Sequence, residues 1–406
     1  MSSPGDARNA CEGGATTGRD RLCWRAMVDI TQARSLFPAL ERQAYLNTAA
    51  VALGSTTLDD AYRGFMGRWL GEGLDFVRAE KAAERSRELF AALVGVAARD
   101  VALVPSVSAA AGLVAAQFVA ARPGENLVIG AQEYSSNHFP WRQLERRGYE
   151  VRQVPFRDGG MEADAVRGHV DGGTRLVAAS AIQTASGHRS DLRALSAIAR
   201  GVGAWLFVDA SQAAGAVDLS ADVAHVDFLS TSDHKFLLNA ARGMGYLYVR
   251  PGVQEGLLPL GAGWRAGAVP FESFFGPRME LSPTASRFDQ SISWLAAIGD
   301  EACLGLIHAI GPAAIEARVM SLAARLRAGL AALGIPDLAM DAARRSHLVA
   351  VPLAGRDPAR VLAALKAGGV ACSARDGNLR FAPHFYNDET DIAKAVAGLA
   401  AAMARG

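Results

Sequence analysis

The stretch STSDHKFLLNAARG, residues 230–243, sets His234 and Lys235 side by side directly after an apolar run. Ser232 and Asp233 precede them, and Arg242–Gly243 closes the stretch. A lysine in apolar surroundings is costly unless it is paired or used covalently. Desolvation and nearby cations lower an ammonium's pKa, and a lysine so placed can form a Schiff base. His234 and Arg242 supply the cationic neighbourhood. A lysine at a helix start is ordinarily a surface residue; the apolar FLL that follows and the strand-like run before it weigh against that use here.

Asp209 ends the apolar run AWLFVDAS, some two dozen residues upstream. Alone it is as readily a capped strand end. Beside a Schiff-base lysine it is the carboxylate that keeps a pyridine nitrogen protonated and a pyridoxal ring electron-withdrawing. The run Ser106-Val-Ser-Ala-Ala opens a helical segment just after a strand. Free N–H groups and the helix dipole bind anions there, although an N-cap serine is common without any ligand. Ser232 and His234 are candidates for the same anion. Tyr134, in QEYSSNHFPW, either stacks on a flat ring or serves the core.

Regular elements must bring these residues together. From about residue 85 helical and strand-like segments alternate. Helices are read at 84–96, 108–121, 141–148 and 192–203, and strands at 101–106, 125–130, 149–156, 175–182, 204–211 and 226–232. GMGYLYVR (243–250) is read as an edge strand that could be antiparallel. Such alternation predicts an α/β fold with a mostly parallel sheet covered on both faces, whose ligands sit beyond the strand C-termini. Four polar clusters fall at those strand ends: 106–108, 132–137, 209–212 and 230–235. Residues 255–295, rich in Gly, Pro and Phe, read as long functional loops. After 295 a second αβ unit follows, and a last helix starts near Asp388, with Asn387 or Asp388 as its cap.

The bulk numbers leave these motifs to carry the function. Of 406 residues, 50% are hydrophobic, and the net charge of +1 gives no nucleic-acid or membrane footprint. Four cysteines without a CxxC pair signal neither a zinc site nor a disulfide framework, so a reducing, cytoplasmic setting is expected and no metal. No apolar run reaches membrane-spanning length. Residues 1–26 are polar and Gly-rich without the apolar core of a signal peptide; they read as a disordered tail or a misassigned start, with Met27 the alternative beginning.

With these residues in view, the chain resembles the class V aminotransferase family of fold-type-I pyridoxal-phosphate enzymes. That group includes cysteine desulfurases and kynureninase-like and isopenicillin N epimerase-like enzymes. The resemblance runs from YLNTAA (45–50) to the C-terminus and is carried by VDAS-Q followed by SxxHK, in order and at the family's spacing. It implies pyridoxal 5'-phosphate as cofactor, with Lys235 as its Schiff-base lysine and Asp209 on its ring nitrogen. It implies Gln212 on the ring hydroxyl and Tyr134 where many relatives stack a histidine, after Glu133. Val107, Ser108, Ser232 and His234 would hold the phosphate. Trp264 and Ser291 match positions that reach the phosphate in relatives, the latter from the other subunit of a dimer. Arg380, in LRFAPHFYN, matches the arginine that binds a substrate α-carboxylate, a task suited to a bidentate guanidinium. Asn47 lies where relatives line the substrate pocket. Cysteine desulfurases place a nucleophilic cysteine on a loop between the positions of Arg375 and Arg380; here the segment is ARDGNLR, with no cysteine. AIQTASGHRSDL (181–192) is nearer the epimerase-like branch, and the FLLNAARG loop is one residue longer than the usual pattern.

The expected protein is therefore a homodimeric enzyme acting at the Cα of a small or medium α-amino acid. It would have a cofactor-binding domain over 27–285, with 27–60 packing near the site, and a smaller α/β domain over 286–406. Transamination is the leading expectation. A lyase, an epimerase or a decarboxylating enzyme is the alternative. A binding-only scaffold needs no Schiff-base lysine, and a nicotinamide dehydrogenase would need a GxGxxG after an early strand, which is absent.

Overall fold

A computed structural model describes residues 28–276 and 278–404. The expectations placed on residues 1–26, and Met27 as a start, lie outside those residues. Strand β1 (Ala44–Tyr45) is followed by α1 (Thr56–Glu72) and α2 (Phe76–Val94). Then comes the large sheet: β2 (Val101–Val104), β3 (Asn126–Gly130), β4 (Glu150–Val154), β5 (Thr174–Ser180), β6 (Trp205–Asp209), β7 (Phe228–Ser232) and β8 (Gly245–Val249). Its spatial order is β2-β8-β7-β6-β5-β3-β4. The pairs among β3 to β7 are parallel, while β8 runs antiparallel to both β2 and β7.

The expected edge strand is thus an interior one. All five residues of β8 are buried, and β2 takes the edge. A Cβ at Gly245 would stand 2.5 Å from the Thr231 carbonyl oxygen, so the close approach of β7 requires glycine there. Other elements differ in extent. The helix expected over 108–121 is α3 (Val107–Ala115), and the one expected over 141–148 is a single α-turn followed by 3₁₀ turns. The described residues of 255–293 form loops interrupted by short 3₁₀ turns.

The helix Trp294–Ile310 packs against α1 and α2. Trp294–Ile310 is mostly apolar and α1 buries only Leu58 and Phe65, so neither has a clean helical stripe to read. The second αβ unit comprises β9 (Val349–Pro352), β10 (Val370–Ala371), β11 (Ser373–Arg375) and β12 (Asn378–Phe381), with helices Pro312–Ala332, Pro358–Ala367 and Glu389–Ala404. Its three-stranded sheet has the order β11-β12-β9, and β10 pairs in parallel with β1. Leu322, Leu326, Val349, Leu379, Phe381 and Leu399 form its core. Asp388 caps the last helix by accepting from the backbone N–H groups of Thr390 and Asp391. No single helix among the described residues is long and apolar enough to cross a membrane.

Candidate active site

The C-terminal ends of the parallel strands set out a row of polar side chains. In register, Ser180 of β5 lies beside Asp209 of β6, and Asp209 beside Ser230 of β7. Asp209 is buried, and its Oδ1 accepts from Ser211 N–H at 2.8 Å. Ser180 donates through both its N–H (2.8 Å) and its hydroxyl (2.5 Å) to the buried Glu133 carboxylate. Burial pushes Glu133 up to about 7. Glu133 thereby fixes the turn that carries Tyr134, which is half exposed with its ring centroid 5.4 Å from Lys235 Nζ.

A cavity of about 510 Å³ opens on this row. One end is formed by the start of α3 with Ser106, Val107 and Ser108, together with Ser232, Asp233 and His234. Ser106 caps α3 by accepting from Ala109 N–H at 3.2 Å, and its hydroxyl lies 3.0 Å from that of Ser108. Tyr134, Asp209, Ser211 and Lys235 line the remainder, with Arg242 and Met244 on the loop to β8.

Electrostatics separate the roles of these groups. Burial lowers the Lys235 ammonium to about 8; Asp209 opposes the shift, while the charges of Arg380, Arg242 and Arg375 add to it. Burial and the charges of Lys235 and Arg242 lower His234 to about 4, so its imidazole is neutral at pH 7. Burial raises Asp233 to about 7 against the hydrogen bonds from Gly243 and Met244 N–H.

Arg380 reaches the site from β12. Its guanidinium is buried and donates to the Thr184 carbonyl (2.7 Å), Thr184 Oγ1 (2.8 Å) and Ser373 Oγ (3.1 Å). Burial lowers it to about 10. Gln212 Nε2 donates to the same Thr184 Oγ1 (2.8 Å) and to the Ala49 carbonyl (3.1 Å), leaving Gln212 Oε1 buried and without a partner. Thr184 therefore joins the large sheet to Arg380. Asn47, whose Oδ1 is also unpaired, bridges in parallel to Ala382, two residues beyond Arg380. Ala52 N–H donates to the His234 carbonyl at 2.9 Å, so the segment after β1 lies over the site.

Of the expected members, Asn47, Gln212, Arg380, Trp264 and Ser291 do not line this cavity within one chain. Trp264 lines a separate one of about 610 Å³ with Phe271, Glu80 and Arg265, and Ser291 is exposed. Both follow long loops whose course no local pattern encodes. The sequence reading gave no role to Thr184, Ser211 or Ser136. The strand end ASAIQT, facing the known end VDAS, was the available signal for Thr184.

The residues present fit pyridoxal phosphate. A donor-lined helix start, a buried strand-end carboxylate, an amine of lowered pKa and an aromatic face line one cavity, and the unpaired buried amide oxygen of Gln212 lies three residues beyond the carboxylate. Such a site, above the C-terminal edge of a mostly parallel sheet, defines a pyridoxal-phosphate enzyme of the α/β transferase type.

The family model of class-V aminotransferases matches residues 45–392, and the chain belongs to that family. With it, the chain is a pyridoxal-phosphate enzyme, a transferase or a lyase. It is 27% identical to an uncharacterized aminotransferase, YcbU, of Bacillus subtilis, over 91% of this chain and 97% of that protein. It is 29% identical to a probable cysteine desulfurase of Methanothermobacter thermautotrophicus, over 73% and 74%. Among solved structures, the apo cysteine desulfurase of Thermococcus onnurineus shares the fold at a TM-score of 0.80 and 22% identity, covering 92% of this chain and 98% of that one. The cystine C–S lyase C-DES, solved with cysteine persulfide, does so at 0.79 and 20%, covering 90% and 99%.

Proposed function

We propose that the protein is an aminotransferase for a small or medium α-amino acid. Lys235 would move the proton and Arg380 would hold the α-carboxylate. Asp209 would face the ring nitrogen, Gln212 the ring hydroxyl and Tyr134 the ring face. Val107, Ser108, Ser232 and His234 would take the phosphate, and Asn47 would border the substrate. When bound, the pyridinium ring supplies an electron sink for a bond broken at Cα. The chain's own task is then to fix the amino acid and move one proton.

The observation that carries this reading is Lys235, an amine lowered to about 8 at the floor of the cavity. A proton carrier works best with a pKa near the working pH. His234 is neutral and 3.5 Å from Asp233, while the Asp209 charge acts on the Lys235 amine. The test is a single half-reaction: loaded enzyme mixed with one amino acid at a time and no acceptor. Transamination gives one equivalent of 2-oxo acid per site and stops. Continued release of ammonia would replace this reading with a lyase.

A C–S lyase is the second reading, favoured by the relatives named as desulfurases and by the likeness to C-DES. Desulfuration through a protein-bound persulfide is disfavoured here. β11 and β12 are joined by a two-residue turn, Asp376–Gly377, with both φ angles positive and no room for a cysteine-bearing loop. Cys372 is half-buried and its thiol is pushed up to about 12 by burial. Cys303 and Cys372 are unpaired, which suits a reducing, cytoplasmic setting.

The homodimer is also proposed. Leu258, Leu260, Phe271, Phe275 and Met279 stand exposed along one segment, more apolar surface than a monomer ordinarily leaves uncovered. Trp264 and Ser291 would serve the partner's site from there. Light scattering that finds an active monomer on dilution overturns this.

A further inference from the structure

We propose that Arg242 is the cation that neutralises the cofactor's phosphate, an inference that rests on placing the phosphate at the start of α3. Two arginines near the site differ in what they offer an anion. The Arg380 guanidinium, outside the cavity's lining, is buried and already donates to Thr184 and Ser373. The α3 end offers N–H groups and the hydroxyls of Ser106, Ser108 and Ser232, but its imidazole, His234, is neutral at pH 7. The same end contains the Asp233 carboxylate. A phosphate monoester carries about −1.5 to −2 charges at neutral pH. Arg242 lines the same cavity and offers such an anion a full positive charge. Its charge acts on Asp233, His234 and Lys235.

The loop that carries Arg242 is built to hold it. Asn239 is fully buried; it donates to the Ala296 carbonyl (2.7 Å) and Asp300 Oδ1 (2.8 Å) and accepts from Tyr62 OH (2.6 Å). On the other side, Gly243 and Met244 N–H donate to Asp233 Oδ2, and a Cβ at Gly243 would stand 2.5 Å from Ser293 Cβ. Between these anchors Arg242 adopts a left-handed backbone, φ 52°. That conformation favours Gly, Asn or Asp and disfavours a long side chain. Arg242 is exposed at the cavity rim and makes no hydrogen bond or ion pair among the described residues. A strained, doubly anchored residue with a free guanidinium over a donor-lined cradle is a charge held ready for an anion.

The test is equilibrium binding to the apoenzyme of two aldehydes, pyridoxal phosphate and pyridoxal, which differ only in the phosphate. Arg242→Asn removes the charge and suits the backbone, and Arg242→Lys restores a charge without the fork. The expected result for Arg242→Asn is about a 10- to 100-fold rise in Kd for pyridoxal phosphate, with pyridoxal unchanged and part of the loss recovered in Arg242→Lys. Equal weakening of both ligands would make Arg242 a residue that only orders the loop, and would overturn the proposal. Unchanged affinity for both would also overturn it. A parent enzyme that itself fails to prefer the phosphorylated aldehyde would show instead that the phosphate does not sit at α3.

Discussion

The large sheet and the small one contribute to the site in opposite ways. On the large sheet, Asp209, Ser232, His234 and Lys235 lie at or just past the ends of two adjacent strands, and register alone brings them together. The small sheet sends in one residue, Arg380, through Thr184 and Ser373. One region is a fixed platform; the other is an arm whose placement depends on contacts between elements nearly 200 residues apart in sequence. Damage to the platform should remove chemistry, and damage to the arm should loosen the substrate.

The sharpest contrast comes from Lys235→Ala. Turnover is expected to fall by about 10⁴-fold, and the visible absorption of the lysine-bound cofactor to disappear, with little change in thermal stability. Arg380→Lys is expected to raise KM for the amino acid by about 10- to 100-fold with a smaller change in kcat, since an ammonium lacks the planar fork. A fall in kcat at constant KM would erase the distinction between platform and arm. Thr184→Val removes one acceptor shared by Arg380 and Gln212; a rise in KM of roughly 2- to 10-fold is expected, the worth of one ordinary hydrogen bond.

The smallest effect is one of pH. The apoenzyme amine of Lys235 titrates near 8, below the ordinary lysine value of 10.5. Only the free amine attacks an aldehyde, so the rate of cofactor uptake should climb about tenfold per pH unit up to 8 and then level off. A rate that keeps climbing to pH 10 would mean the amine is not desolvated.

This division also explains what the sequence could tell. Lys235, Asp209 and the start of α3 were legible because strand, turn and helix succeed one another locally, and the strand ends announce themselves by a change from apolar to polar. Arg380 was legible through family resemblance alone. Thr184 was missed because its role comes from two partners supplied by distant parts of the chain. The interior place of β8 was missed because a fully buried antiparallel strand and an edge strand share one apolar pattern. Helices α1 and Trp294–Ile310 lacked a single apolar face. Trp264 and Ser291 were named from family resemblance, Ser291 for the partner's site, and within one chain they do not line the cavity.

The pairing of β1 with β10 has a consequence for how the protein comes into being. Tyr45 leaves the ribosome early, yet its partner Ala371 is made more than 300 residues later. At about 5–20 residues per second, the first strand waits tens of seconds for the second. The large sheet is complete in sequence by Val249, with Lys235 and Asp209 already in it. The covering segment, Leu46 to Leu53, can bond to Gln212 and His234 early, but its pairing to Ala371 and Ala382 waits until the last part of the chain has emerged. Cofactor can meet its platform during synthesis; the enclosed pocket is a property only of the finished chain.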